Sequence, residues 1–185
     1  MRAPLLFLFF MAILGLRQIT FLWLTNRNRK NKIFKKWIVY FIGISYLIIF
    51  LGTIGEFFLI RRNINFAVSF LGIFFCLLGI ALQIWAFKSL GNNWSFYIEV
   101  GEETTLVTDE AYRYLRHPAS LGFIFEGIGI PLVANTFFIL IFSILVYLPL
   151  ILWRIYIEEK VLIERFGKNY LEYKKTTPFL IKLRK

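Results

Sequence analysis

Long runs of apolar residues constrain the fold of this chain more than any other feature of its sequence. Five such runs occupy residues 3–24, 37–60, 66–87, 119–134 and 136–153. An α-helix needs about 20 apolar residues to cross the hydrocarbon core of a bilayer, where lipid offers the backbone no hydrogen-bond partners. Hydrophobic residues make up 58% of the chain, more than soluble domains usually carry. The runs predict an all-α, polytopic membrane protein with five transmembrane helices.

The order of the runs predicts a single domain over residues 1–185. Three N-terminal spans fall within residues 1–87, and the polar motifs of the chain fall within residues 88–185. The link between the last two spans, around residues 133–136, is too short for anything but a tight helical hairpin. The polar residues that follow this hairpin predict a cytosolic C-terminal helix.

Basic residues predict the orientation of the spans. The link between the first two spans carries six Lys or Arg and no acid, and the tail from Arg154 carries nine against four Glu. Basic segments stay on the cytosolic side, so the N-terminus is expected outside and the C-terminus in the cytosol. This membrane would be the plasma membrane of a prokaryote or the endoplasmic reticulum of a eukaryote.

The net charge of +11 indicates contact with anionic membrane lipids rather than with nucleic acid, because no nucleic-acid-binding motif accompanies it. The one cysteine, Cys76, lies inside an apolar run and is expected to be an inert packing residue. No metal site is expected.

Three polar clusters are expected on the same cytosolic face. They are residues 91–95 (GNNWS), residues 112–118 (YRYLRHP) and residues 154–173, which begin RIYIEE. The hairpin leaves and re-enters one side of the membrane, so His117 and Arg154 can be neighbours. Arg154 and Glu158 are four residues apart and share a helix face. Charges this close to lipid are costly and usually functional or paired, which makes the clusters candidates for a site.

The second and third clusters also resemble a known signature. The segments EAYRYLRHPASLG and RIYIEEKVLIERFGKNYLEYKKTTP, in that order, are similar to the signature of the isoprenylcysteine carboxyl methyltransferase family, which is related to phospholipid N-methyltransferases. LGNNWS resembles the segment that precedes the signature in prokaryotic members. The resemblance covers residues 88–178. It implies a polytopic membrane enzyme that takes a methyl group from S-adenosylmethionine (SAM) and releases S-adenosylhomocysteine.

In this family the histidine motif and the Arg-x-x-x-Glu-Glu helix help to form a cofactor pocket at the cytosolic face. The resemblance assigns that role to Tyr112, Arg116, His117, Pro118, Arg154, Glu158 and Glu159. One position departs from the family pattern of His-Pro-hydrophobic-Tyr, because Ser120 stands where the tyrosine is usual. Ser120 and Tyr114 are the candidates to replace it.

The chemistry of SAM suggests a role for each side chain. Arg116 and His117 can bind its carboxylate near a helix N-terminus, and Glu158 or Glu159 can accept from its ribose or ammonium. A carboxylate acceptor needs no general base but does need a cation, for which Arg154 is the candidate. An amine acceptor would instead need a base, for which Glu158 is the candidate. Either acceptor is expected to be a lipophilic small molecule or a lipidated substrate that arrives from the bilayer.

Glu126 lies near the middle of the fourth span, where a charge is expensive. Two roles remain open for it: lining the substrate path, or a structural hydrogen bond made while protonated. Gln83 in the third span is expected to hydrogen-bond between helices.

The sequence leaves several functions open. Carboxyl O-methylation is favoured, and phospholipid or amine N-methylation is the alternative. An NADPH-dependent sterol or enone reductase is a further candidate, although Glu158 and Glu159 suit the 2′-phosphate poorly. A membrane scaffold without cofactor is the non-enzymatic alternative.

Overall fold

The computed structural model describes residues 12, 14–15, 32–34, 36–60, 63–95, 97–100 and 104–179. The first apolar run, residues 3–24, lies outside the described residues except at three positions, so that span stays a prediction. The strands are β1 (Lys32–Phe34) and β2 (Ile98–Val100); the helices are α1 (Lys36–Leu59), α2 (Phe66–Leu90), α3 (Ala111–Tyr114), α4 (Pro118–Ala134), α5 (Phe137–Phe166) and α6 (Lys168–Thr176).

Three of these helices, α1, α2 and α5, are long and apolar enough to cross a membrane. The fourth apolar run forms α4, which has 17 residues. At the helical rise α4 is about 26 Å long, slightly shorter than the hydrocarbon core of about 30 Å. Among the described residues, the expected helices of the second, third and fifth runs are therefore present at full spanning length.

Helix α5 extends well beyond the expected end of the fifth span at residue 153. It continues without a break to Phe166, and Gly167 follows with φ of 53°. The polar residues after Trp153 therefore continue the apolar helix, because a change from apolar to polar side chains does not interrupt backbone hydrogen bonds. The left-handed conformation of Gly167 does interrupt them, and α6 begins at the next residue.

The backbones of α2 and α4 approach each other closely through glycines. A Cβ atom on Gly79 would lie 2.7 Å from the carbonyl oxygen of Gly122, and one on Gly122 would lie 2.6 Å from that of Gly79. Small residues at such a crossing let the two helix backbones approach closely, and the resulting van der Waals packing stabilises the helix pair within lipid. This packing fixes the position of α4, which begins directly after His117.

Two residues connect α4 to α5. Asn135 adopts a left-handed conformation with φ of 59°, and Thr136 precedes the first residue of α5. The Asn135 side chain accepts from the backbone N–H of Asn65 at 3.0 Å and donates to Ser69 Oγ at 2.8 Å. These bonds join the link to the start of α2.

The N-terminus of α5 receives its cap from another helix. The carboxylate of Glu56 on α1 accepts from the backbone N–H groups of Phe138 at 3.3 Å and Ile139 at 3.0 Å. The first N–H groups of an α-helix generally need partners from outside the helix, and a carboxylate there also complements the helix dipole. Glu56 therefore ties α1 to the helix that carries Arg154.

A π-helical segment, Ser143–Tyr147, interrupts the α-helical geometry of α5. Ser143 Oγ donates to the carbonyl oxygen of Gly127 at 2.6 Å, and Tyr147 is buried beside α4. A Cβ atom on Gly127 would lie 2.5 Å from the Tyr147 ring, so this contact requires glycine. Such segments insert one extra residue into a helix and often occur near functional sites.

A two-stranded antiparallel ladder was not expected in an all-α protein. Lys32 pairs with Val100 and Phe34 pairs with Ile98. Each strand has three residues, too few for alternation of polar and apolar side chains to be recognised. The described residues are otherwise helical or in loops, and the ladder joins the segment before α1 to the loop that precedes the histidine motif.

Candidate functional site

The three polar clusters of the sequence contribute to one pocket. Asn93 and Trp94 line it from the turn after α2, and Arg116 and His117 line it from the segment before α4. Arg154 and Glu158 line it from α5, and a loop of residues 104–107 closes another side. The expected proximity of His117 and Arg154 is therefore confirmed.

His117 and Pro118 form the start of α4. Pro118 is the first helical residue, where its missing N–H is not needed, and the His117 carbonyl accepts from the backbone N–H of Leu121 at 3.0 Å. This arrangement holds the His117 side chain, which is only 4% exposed, against the pocket. Pro118 acts through the backbone here and does not itself line the pocket.

Glu159 gathers four polar side chains around its carboxylate. Its Oε1 accepts from Arg116 Nη1, lies 3.4 Å from His117 Nε2 and lies 3.5 Å from the Tyr170 hydroxyl. Its Oε2 accepts from Lys174 Nζ at 2.6 Å. We call Glu159 with these four residues the Glu159 cluster. Both carboxylate oxygens are used within the cluster, and Glu159 does not line the pocket, so it supports Arg116 and His117 from behind.

Glu158 belongs to a different group of side chains. Arg154 Nη1 donates to Glu158 Oε2 at 3.0 Å and to Ser120 Oγ at 3.3 Å. All three residues line the pocket. Consecutive helical residues point about 100° apart, which is why Glu158 and Glu159 serve different partners. The expected pairing of Arg154 with Glu158 is confirmed.

Ser120 and Tyr114 differ sharply in position. Ser120 is 3% exposed and contacts Arg154, whereas Tyr114 is 59% exposed and packs near Trp85, with ring centroids 5.8 Å apart. Of the two candidates for the missing tyrosine, only Ser120 therefore reaches the pocket.

Tyrosines from α3 and α6 complete the wall of the pocket. The Tyr173 hydroxyl donates to the carbonyl oxygen of Tyr112 at 2.6 Å, and both residues line the pocket with Tyr170. Burial, and then the negative charge of Glu158, raises the pKa of Tyr112 well above the ordinary value for tyrosine. Its phenol therefore stays protonated at neutral pH and can donate a hydrogen bond.

Glu126 lies away from these residues. It is fully buried between α4 and α2, where its Oε2 accepts from Gln83 Nε2 at 3.0 Å. This bond confirms the expected interhelical role of Gln83. Glu126 is not among the residues that line the pocket.

Sequence reasoning did not identify Lys174, Phe179 or the 104–107 loop. The Phe179 ring lies 5.4 Å from the Arg116 guanidinium carbon and 5.4 Å from the His117 ring centroid. Lys174 lies on α6 four residues after Tyr170, and this spacing places both on one face toward α5. That helical spacing could have indicated Lys174, but the loop carries no motif that could have indicated it.

Known proteins are similar to this chain in sequence and in structure. The model of the isoprenylcysteine carboxyl methyltransferase (ICMT) family matches residues 70–164, about half of the chain. The protein-S-isoprenylcysteine O-methyltransferase of Xenopus laevis is 34% identical over 113 residues, which is 60% of this chain and 39% of the relative. The enzyme of the same name from Saccharomyces cerevisiae is 34% identical over 106 residues, covering 56% and 44%.

A solved structure is also similar. The eukaryotic intramembrane Ras methyltransferase ICMT matches with a TM-score of 0.66 and 26% identity, over 76% of this chain and 53% of that chain. The present chain thus spans about two fifths of the length of these curated relatives and about half of the solved structure. The residues that the family model matches include the histidine motif, Arg154 and both Glu158 and Glu159. The chain belongs to the isoprenylcysteine carboxyl methyltransferase family.

Proposed function

We propose that the protein is a SAM-dependent methyltransferase that methylates the carboxylate of a lipophilic acceptor at the membrane. The observation that carries this proposal is the pocket that Arg116, His117, Arg154 and Glu158 line together at the end of the apolar helices. The guanidinium groups of Arg116 and Arg154 are separate cations. Arg116 can bind the carboxylate of the cofactor, and Arg154 can bind the carboxylate of the acceptor. The relatives carry the name O-methyltransferase, which supports a carboxylate acceptor.

The donors and acceptors of the pocket fit SAM. Its carboxylate requires cations, and Arg116 Nε is buried without a hydrogen-bond partner among the described residues. His117 lies beside Arg116, and Glu158 can accept from a ribose hydroxyl or the ammonium. The neutral phenol of Tyr112 adds a donor. When bound, SAM would supply an electrophilic methyl group.

The protein's own contribution would be positioning and exclusion of water. Arg154, already oriented by Glu158 and Ser120, would hold the acceptor carboxylate, which is anionic at neutral pH and requires no general base. Binding the two reactants in alignment replaces a bimolecular encounter in solution. In favourable cases such alignment lowers the free-energy barrier of the reaction by about 7–11 kcal/mol. Transfer of the methyl group removes the sulfonium charge, so a desolvated site favours it.

The structural role is the better supported one for Glu126. The hydrogen bond from Gln83 and complete burial away from the pocket support a carboxyl group that joins α2 to α4.

Calorimetry on the detergent-solubilised protein tests cofactor binding. We expect SAM and S-adenosylhomocysteine to bind with a dissociation constant in the micromolar range, about 1 μM to 1 mM. NADPH serves as the matched control, because Glu158 in the pocket would repel its 2′-phosphate. Heat with NADPH but with neither SAM nor its product would support a reductase, and no heat with any ligand on a folded sample would support a scaffold.

We also propose five membrane crossings, with the N-terminus outside, the pocket and C-terminus in the cytosol, and α4 and α5 as a tight hairpin. The two-residue link between α4 and α5 and the basic residues beside α1 support this orientation. We expect a reporter that is active only in the cytosol to be active when it is fused after Lys185. A reporter that is active only outside the cytosol should be inactive at the same position. Activity of an externally active reporter at that end would contradict the proposed orientation.

A further inference from the structure

The two oxygens of Glu159 have different partners. Oε1 receives Arg116 Nη1 and lies beside His117, while Oε2 receives Lys174 Nζ at 2.6 Å. The Nε of Arg116 is buried and has no hydrogen-bond partner among the described residues. Arg116 therefore uses only one prong of its guanidinium on Glu159.

This arrangement is unusual for a buried arginine beside a carboxylate. The guanidinium fork matches both oxygens of a carboxylate and frequently binds them through two parallel hydrogen bonds. Here Lys174 binds the second oxygen, so it competes with Arg116 for the contact that a two-pronged grip requires. An arginine with an unused buried donor at a pocket wall can bind another anion there.

We propose that Lys174 is a positioning residue for the cofactor site: by binding Glu159 Oε2, it competes with a second hydrogen bond from Arg116 to Glu159 and so favours the arrangement in which Arg116 Nε is available for the carboxylate of SAM. The inference rests on the proposed function in one respect, the identity of the anion. The competition between Lys174 and Arg116 for Glu159 is independent of it.

The backbone position of Lys174 on α6 does not depend on the ion pair between Lys174 and Glu159. Tyr173, the preceding residue, donates to the carbonyl oxygen of Tyr112, and the backbone N–H of Arg116 donates to the carbonyl oxygen of Pro178 at 3.0 Å. These contacts hold α6 against the site on both sides of Lys174. Replacing the Lys174 side chain should therefore leave the helix in place.

Titration of SAM into three variants tests the inference. Lys174→Gln should weaken SAM binding about 3- to 10-fold, a modest effect because this lysine is partly exposed. Lys174→Arg, which keeps a cation on Oε2, should restore most of the affinity. Lys175→Gln removes the same charge from the exposed neighbouring residue and should bind SAM as the unaltered protein does. In a Glu159→Gln background, Lys174→Gln should add no further loss.

A second readout needs no ligand. The Arg116 Nε–H resonance in the ¹⁵N spectrum, assigned with Arg116→Lys, should shift in Lys174→Gln and stay unchanged in Lys175→Gln. An unchanged resonance in Lys174→Gln would overturn the inference, as would equal SAM affinity in Lys174→Gln and Lys175→Gln. Failure of the unaltered protein to bind SAM, together with the expected shift of the resonance, would overturn the proposed function but leave the positioning role of Lys174 standing.

Discussion

Replacing Arg154 with Ala should reduce kcat/KM for the acceptor about 100-fold or more while leaving SAM affinity largely intact. The proposed contact is an ion pair between Arg154 and the carboxylate of the acceptor. Removing one partner of a buried, hydrogen-bonded charge pair typically weakens binding by about 2–5 kcal/mol. Arg154→Lys should recover little, because an ammonium cannot reproduce the planar two-pronged grip on a carboxylate. Calorimetry with SAM and transfer of a labelled methyl group measure the two quantities separately.

Arg165→Ala is the matched control for Arg154, because Arg165 lies on the same helix, is exposed and does not line the pocket. Its methyl transfer should match that of the unaltered protein. The competing explanation is that Arg154 only holds Glu158 in place. In that case Arg154→Ala would weaken SAM binding as well, and exchanging the two charges would partly restore it.

Replacing Arg116 with Ala should weaken SAM binding about 100-fold. The substitution removes the buried donor proposed for the cofactor carboxylate, and it leaves Glu159 with His117 and Lys174 as partners, so the fold should persist. His117→Ala should also weaken SAM binding, by about 5- to 150-fold, which is typical of one hydrogen bond to a charged group. Calorimetry with SAM on both variants measures these losses.

Arg113→Ala is the control for Arg116. Arg113 lies three residues earlier, is exposed and does not line the pocket. If Arg113→Ala and Arg116→Ala weakened SAM binding equally, general loss of positive charge would explain both, and Arg116 would have no specific role.

Hydrophobicity predicted most of the helical structure because bilayer thickness sets the length of a span. The second, third and fifth apolar runs begin within about one residue of α1, α2 and α5. The helix continues 13 residues beyond the predicted end of the span at residue 153, since Phe166 is its last residue. Local backbone geometry decides where a helix ends, and Gly167 was the signal for it.

The candidate site could be predicted only where its contacts are local in sequence. The pairing of Arg154 with Glu158 follows from one turn of helix. The partners of Glu159 could not be predicted in this way, because Arg116 and Lys174 reach it from other segments of the chain. The β1–β2 ladder and the 104–107 loop were missed for a similar reason: short segments gain their structure from what they pack against.

The π-helical segment within α5 sets the direction in which the side chains of Arg154 and Glu158 point. Each helical residue adds a rotation of about 100°, so removing one residue from Ser143–Tyr147 to restore regular α-helix would turn one half of α5 by that angle relative to the other. The half that Glu56 caps would keep its packing, while Arg154 and Glu158 would rotate away from His117. The number of residues between Phe137 and Arg154 is therefore as much a determinant of the pocket as the identity of Arg154 itself.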